Sequence, residues 1–182
     1  KNASPIPPAM FHCQFGEHRN HHPNRVRTGI TMYQKVLDFW FKEIEPKQWW
    51  VKDEKFDQII LSRFADIHQQ ANAGELYHWR ETPQGRLAEI IVLDQFSRNM
   101  FRDTPQAFAS DTLALVLSQV AWQANAHEQL APNECSFLFM PYMHSESLTV
   151  HDVALDIFKE HCSHDNYEFE IKHRDIIKQF SR

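Results

Sequence analysis

The chain has 182 residues, of which 42% are hydrophobic and 24% charged, with a net charge of −5. That length and balance suit one soluble domain with a sizeable core, and the acidic charge is a poor footprint for binding nucleic acid or an anionic membrane. Only four glycines argue against a turn-dense all-β fold and against glycine-rich phosphate loops.

Cys13, Cys135 and Cys162 are an odd number without a Cys-x-x-Cys pair, which points to a reducing cytoplasm rather than a disulfide framework. No apolar run approaches the roughly 18 residues of a membrane span. Residues 1–30 hold no apolar signal-peptide core. They carry four of the nine prolines and four of the twelve histidines, so an irregular N-terminal arm is expected over 1–30 and an all-helical domain over 31–182. The arm's His12, Cys13, His18, His21 and His22 suggest adventitious metal binding at most.

From Thr31 the pattern is helical. Thr31 suits an N-cap for a helix to about Glu43, with Val36, Leu37, Trp40 and Phe41 as its apolar stripe and Pro46 as its stop. Asp53 suits a cap for a helix to Asn72 that buries Phe56, Ile59, Ile60, Phe64 and Ile67, with Gly74 beyond its end. Thr82-Pro83 opens a third helix to about Phe101. Thr104-Pro105 starts a short turn of helix. Ser110-Asp111 starts a long helix to about Asn125, with Leu113, Leu117, Val120 and Ala121 apolar. Pro132 opens another through Phe137 and Met140, which Pro141 is expected to break. Thr149 suits the cap of a helix to about Cys162, and Asp165-Asn166 that of a last one to Phe180. Seven or eight helices with short connectors predict an all-α array of antiparallel helix pairs.

Several strings have a distinctive order: Leu93-Asp-Gln-Phe-Ser-Arg-Asn-Met-Phe-Arg102 with Thr104-Pro-Gln-Ala-Phe108, and Phe137-Leu-Phe-Met-Pro-Tyr-Met-His-Ser-Glu146. Val36-Leu-Asp-Phe-Trp-Phe41, Trp49-Trp50 and His173-Arg-Asp-Ile-Ile-Lys-Gln-Phe180 accompany them. Over about residues 32–182 the chain resembles the bacterial domain of unknown function 924 family. The resemblance implies a tetratricopeptide-repeat-like all-α fold and brings no established activity. Residues 1–31 find no counterpart in the family pattern. Relatives are expected to continue past Phe180-Ser-Arg182 with a Phe-Pro-His-Arg-Asn-like segment.

The chemistry concentrates in the third helix. Leu87, Ile91, Asp94, Arg98 and Arg102 are spaced to share one helical face, so a core face runs into a carboxylate and two guanidiniums. Buried charge is costly unless paired and hydrogen-bonded. Asp94, Gln95, Arg98, Asn99 and Arg102 therefore form either a structural ion-pair network or the wall of a pocket. In the pocket, Arg98 and Arg102 would bind an anion as planar donor forks, Asp94 would hold Arg98, and Gln95 and Asn99 would orient the ligand. Tyr142, His144 and Glu146 lie near the expected helix break and His173 further on. They would join the rim, or serve as local caps.

Three readings follow. The first is a binding protein for a small anionic molecule or a peptide terminus. The second is a hydrolytic or proton-transfer enzyme with His144 or His173 as base and Glu146 or Asp94 positioning it. The third is an interaction scaffold without a small ligand. No metal set or cofactor motif is present: His161-Cys-Ser-His164 reads as a helix end, and Ser97 lacks a nucleophile-elbow context. The tryptophans at helical spacing read mainly as core, although an exposed one at a groove would mark a ligand platform.

Overall fold

The computed structural model describes residues 31–180, and every regular element among them is helical. Eight α-helices follow in order: α1 (Met32–Asp38), α2 (Glu54–Asn72), α3 (Pro83–Ile91), α4 (Ser97–Met100), α5 (Asp111–Gln123), α6 (Pro132–Met143), α7 (Leu148–His161) and α8 (His164–Phe180). No helix among the described residues is long and apolar enough to cross a membrane. The expected arm and its histidines lie outside the described residues.

Local chemistry sets most boundaries. Thr31 accepts a hydrogen bond from the Gln34 amide at the start of α1. The Asp53 carboxylate takes the Lys55 and Phe56 amides at the start of α2. Thr82 takes the Gly85 amide, with Pro83 at the first helical position of α3. Gly74 follows α2 with φ +73°, which suits a residue without Cβ. A Cβ on Gly85 would lie 2.0 Å from the Trp79 carbonyl oxygen, so that close approach also requires glycine.

Several boundaries depart from expectation. α5 does start at Ser110-Asp111, but the Ser110 hydroxyl donates to the Asn72 side-chain oxygen rather than capping an amide. Ser147 precedes α7 rather than Thr149. Ser163, not Asp165 or Asn166, accepts the Asn166 amide at the start of α8. Ile59 and Val120 face solvent, while Ala114 and Ser118 of α5 are buried. Pro141 does not break α6. Cys135 through Met143 are all buried, and a helix enclosed on every side keeps its course because packing outweighs one missing amide.

A second departure positions the site. α3 and α4 are one continuous rod joined by a wide π-helical turn, Val92–Phe96, all five residues of which are buried. Such a turn inserts an extra residue and is frequent at functional sites. The rod ends at Phe101, so Arg102 lies beyond it rather than on a helical face. A similar wide turn, Phe39–Glu43, extends α1.

The core is aromatic. Phe96 of the wide turn meets Trp40, Phe39 and Phe64 with ring centres 5.6, 6.1 and 4.9 Å apart, geometries that add to simple burial. α6 packs against α3, α5 and α7, and α7 against α8. These neighbour relations place the wide turn, the end of α6 and α8 around one region. They are compatible with the helix-pair array expected from the resemblance.

Candidate functional site

The wide turn carries Asp94 inward, where the residue is 1% exposed. Its Oδ1 lies 2.8 Å from His144 Nδ1, at the end of α6, and 3.1 Å from Arg98 Nη1. Its Oδ2 accepts from Gln95 Nε2 at 2.6 Å. Burial pushes this carboxyl up, but the charges of His144 and Arg98 and the bonds from His144 and Gln95 outweigh it and hold it below the usual carboxylate range.

Arg98 also donates from Nη1 and Nη2 to both oxygens of Asp111, at 2.9 and 3.0 Å, and from Nη1 to the Asp94 carbonyl. Arg102 grips Asp57 of α2 in the same two-pronged way, Nε at 2.6 Å and Nη2 at 2.9 Å. Asn99 Nδ2 adds a third bond to Asp57 at 2.8 Å. Burial raises the Asp57 carboxyl, yet Arg102 and Asn99 bring it below its ordinary value. Both guanidiniums are thus paired, Arg98 with Asp94 as expected, and also with two carboxylates, Asp111 and Asp57, that the spacing along the third helix does not single out. Asp57 was legible: with Ile60, Phe64, Ile67 and Ala71 it keeps the spacing of the buried face of α2.

Pairing leaves some valence open. Arg98 Nε, Arg102 Nη1, the side-chain oxygens of Gln95 and Asn99, and His144 Nε2 take no partner among the described residues. None of them is sealed from solvent. The Arg98 and Arg102 side chains are 21% and 28% exposed.

These groups face space. A cavity of about 210 Å³ is lined by Gln95, Arg98, Asn99, Arg102 and His144 on one side and by Trp49, Trp50 and Val51 on the other. A second of about 540 Å³ has Arg98, Asp111, His144, Glu146 and His173 among its walls. A third of about 510 Å³ runs from Trp50 and His144 to Met140, Met143, Phe169 and His173. His144 borders all three.

Seven of the nine sequence candidates therefore meet around one branched cleft. Asp94 lies behind it, bonded to Arg98 and His144. Tyr142 does not belong to it: the residue is buried in the core beside Phe139 and lines none of these cavities. His173 Nδ1 donates to the Phe169 carbonyl of its own helix. Trp50, 62% exposed, is an exception among tryptophans expected mainly as core and forms a wall of the cleft. Ser97 is fully buried, donates to the Leu93 carbonyl and meets His68 at 2.7 Å, a bonded arrangement unsuited to a nucleophile. His161 packs in an aromatic cluster with Trp122 and His127.

No curated protein matches the chain. A solved structure of a protein of unknown function from Agrobacterium tumefaciens is similar, with 31% sequence identity and a TM-score of 0.78. The match covers 82% of this chain and 84% of that one. The sequence profile described as "Bacterial protein of unknown function (DUF924)" matches residues 36–182. With that profile spanning most of its length, and with an all-helical fold shared with the Agrobacterium protein, the chain belongs to the bacterial DUF924 family.

Proposed function

We propose that this protein is a helical binding protein whose branched cleft takes a small ligand, or a peptide terminus, through an anionic group. One observation carries the reading: Gln95, Arg98, Asn99, Arg102 and His144 line one cavity, and each keeps a polar atom without a protein partner among the described residues. A purely structural network would bury those atoms or bond them internally. Charge-assisted N–H groups from Arg98 and Arg102 would hold the anion, and Trp50 would cover it.

The test is a thermal-shift panel of small carboxylates and phosphates on the wild type, Trp50→Ala and His144→Ala. A ligand at 100 times its Kd stabilises a folded protein by about 2.7 kcal/mol. At least one member of the panel should raise the wild-type midpoint, and both substitutions should remove the gain without unfolding the protein. A panel that leaves the wild type unmoved contradicts the reading.

A second reading has its own support. The Asp94–His144 contact fixes one imidazole nitrogen on a buried carboxylate and leaves the other facing the cleft, the arrangement of an oriented acid–base group. Of the two positioning groups considered from sequence, Asp94 makes that contact. Proton-transfer or hydrolytic activity would disappear in His144→Ala, and a substrate screen in which the two proteins match would count against it.

A further inference from the structure

The balance of charge in the cleft narrows its ligand. Arg98, Arg102 and protonated His144 bring at most three cationic groups, and the three carboxylates bonded to them, Asp94, Asp111 and Asp57, match these in number. An anion with no positive group of its own would enter a site that offers it directed N–H groups but no surplus of positive charge.

The amides show what else the ligand needs. Gln95 and Asn99 each turn the nitrogen toward a carboxylate. An ionised carboxylate only accepts, so these orientations are fixed by chemistry and each amide oxygen is what remains. Neither oxygen has a partner among the described residues, and neither is sealed from solvent, although Gln95 itself is largely buried. Two acceptor oxygens therefore belong to residues that line the same cavity as Arg98 and Arg102, which keep open N–H groups. A ligand that satisfies both sets within this one small cavity carries donors and acceptors together. Trp50 and His144 also line the neighbouring cavity walled by Met140, Met143 and Phe169, which suits an apolar body.

Resting on the binding reading above, we propose that the ligand is a zwitterion of the amino-acid type with a bulky apolar side chain. Its carboxylate meets the guanidinium N–H groups, and its ammonium meets the Gln95 and Asn99 side-chain oxygens. The side chain passes under Trp50 into the Met140–Phe169 cavity.

The test is a titration of the full chain followed through the Trp49 and Trp50 indole N–H signals by NMR. The probes are L-phenylalanine, hydrocinnamate, phenethylamine, glycine and inorganic phosphate. L-Phenylalanine should bind at least about tenfold more tightly than each of the others, the step that corresponds to one well-made interaction. Asn99→Ala should weaken L-phenylalanine about tenfold and leave hydrocinnamate unchanged. Phe169→Ala alters an exposed residue and should weaken L-phenylalanine but not glycine. Hydrocinnamate or phosphate binding as tightly as L-phenylalanine overturns the zwitterion proposal and leaves the anion-binding reading standing. If no probe moves either indole signal, both fall.

Discussion

Two buried carboxylate–histidine pairs lie close together in this fold, and they differ in one respect. In the first, His151 Nδ1 is 2.6 Å from Glu170 Oε1, and His151 Nε2 donates to the Ser145 carbonyl at 2.8 Å. Both residues are wholly buried. Two acceptors on one ring favour the doubly protonated imidazolium. Burial alone lowers the affinity of His151 for its proton, but Glu170 and the Ser145 carbonyl outweigh it and raise the pKa above the ordinary imidazole value. This pair clips α7, α8 and the turn after α6 together. In the second pair, Asp94 and His144, the carboxylate is 1% exposed, but the imidazole is 17% exposed, its second nitrogen has no partner among the described residues, and the residue borders three cavities. A buried acid beside a histidine is therefore not itself the sign of a site. The sign is a ring nitrogen left over for something else.

Substitutions break this comparison in order of effect. His151→Ala should cost most, roughly 3–5 kcal/mol, because it strands a fully buried carboxylate. Urea unfolding measures it, and His151→Leu combined with Glu170→Leu should recover much of the loss. A single substitution as mild as a surface change would contradict the structural role. Asp94→Ala should cost less, about 2–3 kcal/mol, since Arg98 keeps Asp111. His144→Ala should cost about 1 kcal/mol, because Asp94 retains Arg98 and Gln95. Trp50→Ala should stay within about 0.5 kcal/mol while removing a wall of the cleft.

Stability against pH separates the two regions as well. His151 has a raised pKa, so its contribution is complete below the ordinary imidazole value and is lost as pH rises through the raised one. Asp57 and Asp94 have lowered pKa values, so theirs is complete above the ordinary carboxylate value, about 3.9, and is lost as pH falls through the lowered ones. Unfolding curves across pH should therefore show an alkaline loss that His151→Leu combined with Glu170→Leu abolishes. They should also show an acid loss that Asp57→Asn reduces. A double variant that retains the full alkaline loss would show that it arises elsewhere.

Much of this was written in the sequence because it depends on local chemistry. The caps Thr31, Asp53 and Thr82-Pro83 are visible because a short side chain satisfies an orphan amide a few residues away. The cluster after Leu93 is visible because five polar side chains follow a core stretch. The wide turn at Val92–Phe96 has no comparable signature, since it changes hydrogen-bond register without needing particular residues, and it takes Arg102 off the expected face. Pro141 misleads because burial of α6 from Cys135 to Met143 overrides a local breaker. The carboxylates of Asp111 and Asp57 reach the guanidiniums from 13 and 45 residues away, and only packing decides such partners. Trp50 misleads for the same reason: helical spacing does not apply to the connector between α1 and α2.

Reaction of the folded protein with diethyl pyrocarbonate, read residue by residue by mass spectrometry, bears most directly on whether the polar groups after Leu93 open onto a usable cleft. His144 should be carbethoxylated while His151 stays unmodified. A His144 as resistant as His151 would mean that its second nitrogen is closed off and that the cleft is not open to a ligand.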